Sequence, residues 1–447
     1  MKNNNTVMSK LIRSSFLFSL GMILSIVCLV KPVNAETIST SKSDYSHSIQ
    51  LTVVNSLEER LSKVLGVLDA KLTSDEKAKS LDYLTRLSNL ENNRTTYVQT
   101  QEEISLIQDF NTYLNELTIK YFPKAESYAK ELEDAFGPVT LSKNNEVIEN
   151  IKSKISNLDY TKINSIYSQY VDNTIESDAA ARQIYSILQK YSNKIESDEV
   201  LYNIFTVEYG TKARFTIKDD YTVKYQDPAR TGLSNLSKAD QAKYKRVWAQ
   251  VRQILPTKYL GAFAEFDISS DGKYGVAAFV EQLDNDGRYW RISVDPADMS
   301  NKNEFYHTVI HEFGHYVSLN NTQVKYIKKD EIINPSKDDY YDTSLIANKN
   351  SYLNRYYNTF WKEYAFDRNA NTLNQLFFCR HYDEFVSEYA ATSVAEDFSE
   401  SFSYYVLPPK NATLKQKERI NFFDQFPELV QLKKSILSNM KKNKLIK

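Results

Sequence analysis

The chain has 447 residues, 42% hydrophobic and 25% charged, a globular composition long enough for two or three domains with a sizeable core. Its 56 basic and 57 acidic residues leave a formal net charge of −1, without the basic excess that nucleic-acid binding draws on. With 2 cysteines, it is not a disulfide-stapled scaffold.

Lys2, Lys10 and Arg13 precede the apolar run "FLFSLGMILSIVCLV" from Phe16 to Val30, and the following "KPVNA" places Val33 and Ala35 for a signal peptidase. Residues 1–35 are therefore expected to be a secretory signal cut before Glu36, giving a secreted or cell-surface-associated protein. The apolar run falls short of the roughly 20 residues that span a bilayer, which argues against an anchor and for no membrane span after cleavage. Val27 stands where a small residue would precede a lipidated Cys28, which argues against lipidation. Losing the signal takes four positive charges from a net of −1 and leaves −5, with Cys379 as the sole cysteine. Stability must then come from packing and from any bound metal.

Beyond a polar lead-in, Leu57, Leu61, Val64, Leu65, Leu68 and Leu72 fall on one helical face, with Ser56 and Glu59 at capping-box spacing. Further stripes run through Leu81, Leu84, Leu87 and Leu90, then through Ile107, Phe110, Leu114, Leu117 and Tyr121 up to Pro123. Ile148, Ile151, Ile155 and Leu158 mark another, and Ile184, Ile187, Leu188 and Tyr191 the last. Residues 36–200 are thus expected to form a helical domain without a fixed repeat.

The texture changes near residue 201. "LYNIFTVEYG", "ARFTIKDD" and "YTVKYQDP" are short β-branched and aromatic runs that predict a small antiparallel hairpin or meander. A helix capped by Ser237 should run to about Ile254, closed by Pro256. "YLGAFAEFDISS", "YGVAAFVEQLD" and "RYWRISVDP" are three further strands, and Asp-Gly in each connection predicts hairpins between them. Asp267, Ser269, Asp271 and Gly272 imitate a calcium loop, but Ala278 at its twelfth position supplies no carboxylate. Hairpin turns are preferred there and at Asp284 and Asp286.

Three of the five histidines fall in "HTVIHEFGHYVSLN". A helix capped by Asn301 or Asn303 would place His311 and His315 about 40° apart in azimuth and roughly 6 Å apart along its axis. Both imidazoles then reach one ion, as zinc with neutral nitrogen ligands at about 2.0 Å requires. Glu312, on the same turn, is placed to act as general base on a metal-activated water. His307 lies a turn earlier, where it reaches the ion only over another ligand, and is expected at the surface or in support of the site. A third ligand must come from downstream, where His381, Glu388, Glu396, Asp397 and Glu400 are available. On a helix from Ser393 to Tyr405, Glu396 and Glu400 share a face and Asp397 points about 100° away. One of the two would bind metal while the other takes the N–H of a ligand histidine.

"HEFGH" followed by "EYAATSVAEDFSESF" resembles the gluzincin pattern of the anthrax lethal factor catalytic domain and the Pro-Pro endopeptidases. It is more similar still to a group of bacterial zinc-binding metallopeptidases. The resemblance covers roughly residues 300 to 435 and not the helical region before it. It implies Glu396 as the third zinc ligand, Glu400 as partner of a zinc histidine, and Tyr389 as the phenol that stabilises a tetrahedral oxyanion. The 81 positions from His315 to Glu396 exceed the compact gluzincin spacing, and the insertion is expected to form a cleft wall or lid.

The expected protein is α+β, with a helical domain and a zincin-like domain over residues 201–447. It would be a zinc endopeptidase acting on protein or peptide substrates, which pair with an edge strand for which "YGVAAFVEQL" and "RYWRISVD" are candidates. The alternative is an exported binding protein that keeps a structural zinc.

Overall fold

The apolar stripes fold into helices wherever a capping residue stands in front of them. The computed structural model describes residues 57–94, 98–125, 146–172, 174–175, 177–205, 211–270, 276–328, 331, 333–336, 338–370 and 374–447. The expected signal and the Ser56 cap lie outside the described residues. Among the described residues three helices come first: α1 (Leu57–Leu65), α2 (Ser74–Asn93) and α3 (Gln101–Tyr121). Thr73 and Glu76 form a reciprocal capping box on α2, and Thr100 caps α3 through the Glu103 N–H. Their stripes meet: Leu84, Leu87, Phe110, Leu114 and Leu117 are buried, and the Tyr83 and Phe110 rings stack at 5.1 Å.

Four short helices follow, α4 (Glu146–Ile151), α5 (Asn157–Val171), α6 (Ser177–Leu188) and α7 (Ser197–Phe205). They enclose a core of their own built on Ile148, Ile151, Ile163, Ile184, Leu188, Leu201 and Ile204. The start of "LYNIFTVEYG" therefore corrects the sequence expectation. It is helical through Phe205, because Val200, Leu201 and Ile204 share the face that closes this core, and packing outweighs β propensity. Residues 206–210 lie outside the described residues.

The strands are β1 (Ala213–Ile217) and β2 (Val223–Tyr225), then β3 (Phe263–Ile268), β4 (Ala278–Gln282) and β5 (Trp290–Val294). Between the two groups run α8 (Pro228–Thr231) and α9 (Lys238–Ile254), the latter capped by Ser237 as expected. The five strands form one mixed sheet in the order β2-β1-β3-β5-β4. β1 and β2 make the predicted hairpin, as do β4 and β5. β3 and β4 do not: β5 lies between them, parallel to β3 and antiparallel to β4. The reason lies in burial. "WRISV" is buried at all five positions and takes the centre, whereas β4 is half-exposed from Phe279 onward and takes the edge.

The described acidic residues of the two turns are held by protein partners. Asp267 is buried against Arg214, whose Nε and Nη2 donate to it at 3.0 and 2.8 Å. Asp284 accepts from the Arg288 N–H at 2.8 Å and closes the β4–β5 turn; Asp271 and Gly272 lie outside the described residues.

The long helix α10 (Lys302–Leu319) lies against the sheet. After it come a two-stranded ribbon, β6 (Val324–Tyr326) with β7 (Leu345–Ala347), and α11 (Tyr352–Phe360), α12 (Ala365–Ala370) and α13 (Asn374–His381). Last are α14 (Val394–Val406), α15 (Leu414–Asn421) and α16 (Pro427–Lys442). The sheet, α10 to α16 and the first three helices share a single large core. The fold is α+β, predominantly helical with a small mixed sheet. Among the described residues no helix is long and apolar enough to cross a membrane.

Candidate metal centre

Two helices make the site, and small residues let them do so. α10 starts where the Asn301 Oδ1 accepts the N–H groups of Asn303 and Glu304 at 3.1 and 3.5 Å. Its buried Phe305, Val309, Ile310, Phe313 and Val317 fix its rotation against the core. α14 starts at Ser393, whose Oγ accepts the Glu396 N–H at 3.1 Å, and buries Val394, Phe398, Phe402 and Tyr405. The helices touch at Gly314: a Cβ there would lie 3.0 Å from the Ser399 Cα. Glycine between the two metal-type histidines is thus what allows α14 to approach.

That approach brings His311, His315 and Glu396 together, and they are the group among the described residues with metal-ligand spacing. The Nε2 atoms of the two histidines are 3.1 Å apart, and each is 3.1 Å from the Glu396 Oε2. Ligand atoms bound tetrahedrally at about 2.0 Å lie about 3.3 Å apart, so the triangle has the size of one face of a zinc coordination sphere. The proton inventory points the same way. The His311 Nδ1 lies 2.8 Å from the Glu400 Oε1, and a neutral ring that donates there presents a lone pair at Nε2. The lone pair faces a carboxylate oxygen that is buried without a hydrogen-bond partner. Two acceptors at this distance repel; a cation between them, or a second proton on His311, removes the conflict. Burial alone would lower the His311 pKa, but the carboxylates of Glu396 and Glu400 more than reverse this and hold it well above the ordinary histidine range. A dication satisfies the same negative field.

Glu312 is buried beside this triangle. Burial drives its pKa up to about 7, against the pull of His311 and His315, and the Val280 N–H on the edge strand donates to it. A carboxyl poised there both takes and returns a proton near neutral pH. The Tyr389 ring stands 5.7 Å from the His311 ring. Burial and the nearby carboxylates of Glu396, Glu312 and Glu400 keep its phenol protonated, so it faces the site as a donor. The Glu400 Oε2 accepts from the Ser387 Oγ at 2.6 Å, and that oxygen in turn accepts the Ala390 N–H at 3.0 Å.

The remaining candidates go elsewhere. His307 is half-buried, 3.4 Å from the Ser403 Oγ with its ring 4.9 Å from that of Tyr404, and takes no part in the triangle. His381 is buried among Tyr364, Phe377 and Phe385, with its Nδ1 3.4 Å from the Glu384 Oε1. Asp397 is buried on the far side of α14, where Arg419 and the Trp361 indole N–H donate to it, the latter at 2.8 Å. Glu388 is partly buried; desolvation raises its pKa against a hydrogen bond from Gln375 that lowers it. Cys379 lies partly exposed on α13.

The long insertion after His315 differs from a simple lid. Tyr356 packs on Phe398 at 5.5 Å and Trp361 holds Asp397, so α11 and the turn after it buttress the helix that carries Glu396. Of the two edge-strand candidates, "YGVAAFVEQL" contains the edge strand β4, whereas "RYWRISVD" is β5, paired on both sides. Ser387, Gly314 and the Val280 N–H escaped sequence reading. Gly314 was visible inside the motif; the other two carry no spacing signal. Compared with known proteins, the chain matches no family model, no curated protein and no solved structure.

Proposed function

We propose that the protein is an exported zinc endopeptidase of the gluzincin type, with a zincin-like organisation of sheet, α10 and α14. The observation that carries this is the triangle of His311, His315 and Glu396 donor atoms with the buried Glu312 beside it. Bound zinc would supply a Lewis acid that polarises a peptide carbonyl and makes water acidic enough to attack at neutral pH. His311, His315 and Glu396 would hold it, and Glu400 would fix the His311 tautomer. Glu312 takes the proton of the attacking water and passes it to the leaving amine. The Tyr389 phenol donates to the oxyanion that forms at the substrate's carbonyl oxygen. β4 offers backbone groups that keep an extended peptide beside these residues.

A structural zinc in a binding protein fits less well. Such sites are closed by four protein ligands, and three are gathered here among the described residues. A carboxyl driven up to about 7 is also superfluous where a metal only braces the fold. The test is to load wild-type and Glu312→Gln protein with zinc, measure metal content, and follow cleavage of a mixed peptide library by mass spectrometry. We expect one zinc per chain in both and cleavage by the wild type alone. Zinc-loaded wild type that cleaves no peptide, or equal cleavage by both proteins, removes the peptidase reading.

A further inference from the structure

Acids and bases balance over the whole chain but not within it. The segments 238–258 and 427–447, which contain α9 and α16, hold 12 of the 56 basic residues and 2 of the 57 acidic ones. They are remote in sequence, and the fold joins them. The Asn439 side-chain amide on α16 donates to the Arg252 and Leu255 carbonyls at 3.1 Å, and the Asn443 amide to the Gln253 carbonyl at 3.4 Å. Carbonyls at a helix end have no partner further along the helix, so α16 closes the C-terminal end of α9 and brings its own cations beside it.

Lys238, Lys243, Lys245 and Arg246 stand exposed on α9, and Lys434, Lys441 and Lys442 on α16. Among the described residues none of these seven lies within ion-pair distance of a carboxylate. The two acids of the segments are engaged elsewhere: Asp240 accepts from the Ser237 hydroxyl at 2.6 Å, and Glu428 from the Tyr352 hydroxyl at 2.7 Å. Asp220, on the turn between β1 and β2, feels Arg252, but it also feels Lys218. Helix dipoles explain part of the pattern, because cations in the last turns of α9 and α16 meet the negative ends of both. Lys243, Lys245, Arg246 and Lys434 lie two turns or more further back and gain nothing from them.

The patch is broad. From Lys238 to Arg252 α9 alone extends about 21 Å, more than twice the Debye length of about 8 Å at physiological ionic strength. A partner must therefore touch the whole face to feel most of its charge. Six of the seven cations are lysines, point charges on flexible stems and not the planar forks that grip single phosphates. The apolar Leu429, Leu432, Ile436 and Met440 of α16 are buried in the larger core, so the helix presents charge and not an inserting face.

We infer that α9 and α16 form one docking surface for an anionic lipid bilayer, held by charge without insertion. A layer of anionic headgroups meets both helices at once, whereas a single anionic chain follows one line across them. The docking is independent of the peptidase reading; for a peptidase, it would select substrates displayed at the membrane surface.

The test uses the chain from Glu36 onward, which keeps every described residue and removes the apolar run from Phe16 to Val30 that would bind lipid by itself. It should co-sediment with phosphatidylcholine vesicles containing about 40% phosphatidylglycerol, less so with added salt, and not with phosphatidylcholine alone. Lys243→Gln/Lys245→Gln/Arg246→Gln and Lys434→Gln/Lys441→Gln/Lys442→Gln should each weaken binding about 100-fold, at about fivefold per cation. Lys162→Gln/Lys194→Gln/Lys349→Gln removes the same number of cations from exposed positions elsewhere and should leave affinity within about twofold. Equal losses in all three variants would reduce the effect to net charge and overturn the inference, and a loss confined to one helix would overturn the shared surface. Binding to inorganic polyphosphate but not to anionic vesicles, or to neither, would overturn it too.

Discussion

Glu400 and Ser387 decide which nitrogen of His311 faces the metal position. The carboxylate accepts the hydrogen bond of the Nδ1–H at 2.8 Å, and Ser387 fixes the carboxylate at 2.6 Å. Glu400→Ala should therefore weaken zinc binding about 10- to 100-fold, read by competition with a chromogenic chelator. Ser387→Ala should cost less, because Glu400 keeps its contact with His311; unchanged affinity in both variants would mean that the ring needs no such guide. Glu312 gives a pH prediction with a definite sign. It must be ionised to accept a proton, so kcat/KM should rise with pH through its pKa and then level off. Without metal that pKa stands at about 7, and a bound dication beside it pulls it lower, so the acid limb of the loaded enzyme should fall below about 7. A limb centred above that value in a pH–rate profile would assign the base elsewhere. The histidine pair was legible because a helix converts four-residue spacing into a shared face; spacing left Glu396 and Glu400 interchangeable, and only the resemblance chose between them. Ser387 was not, because its role depends on the turn Tyr389–Thr392 and not on any repeat, and the Val280 N–H has no side-chain letter at all.

The contact between α10 and α14 is where packing becomes chemistry. Gly314 faces the Ser399 backbone, so the added methyl of Gly314→Ala meets the Ser399 Cα at 3.0 Å and its Cβ at 3.3 Å. The helices must part by a few tenths of an ångström, and the Glu396 oxygen moves away from the imidazoles with them. We expect a destabilisation of about 1–3 kcal/mol together with weaker zinc binding. Thermal melts of the metal-free protein and chelator titrations separate the two; a variant with full stability and full affinity would show that the approach is not tight. Some helix starts were legible from their caps: Ser237, Asn301 and Ser393 all serve the helices expected of them, whereas the caps Thr73, Thr100 and Ser156 were not read. Strand neighbours were less so. A five-residue run rich in aromatic and β-branched residues marks a strand but not its partners, so the Asp-Gly signal after β3 suggested a hairpin where β5 intervenes. The same ambiguity made the residues at the end of α7 read as a strand, since short apolar runs do not carry a period long enough to choose.

Among the described residues the chain builds two cores that chain order alone does not reveal. α1 to α3 are sequence-remote from the sheet yet join its core: Asn111 donates to the Asp367 carboxylate at 2.7 Å, and Arg380 reaches Thr118 at 2.8 Å while holding Asp367. α4 to α7 keep their own. The stripes located most of the helices, but the one read through Ile148, Ile151, Ile155 and Leu158 breaks where Ser156 caps α5 and leaves Leu158 exposed; amphipathic faces also do not name their partners, so this division was beyond the sequence. Metal removal should distinguish the two. Zinc that binds only the folded protein stabilises it by about 2.7 kcal/mol at a free concentration 100 times its dissociation constant. That stabilisation enters where ligands from α10 and α14 meet, inside the larger core. Adding a chelator to zinc-loaded protein should speed hydrogen exchange of the slow amides in α10 and α14. Amides protected within α4 to α7 should keep their rates, since no ligand comes from those helices and their apolar contacts are internal. Acceleration of equal size in both sets would mean that the chain opens as one unit. No acceleration in α10 and α14 would mean that the ion does not join them.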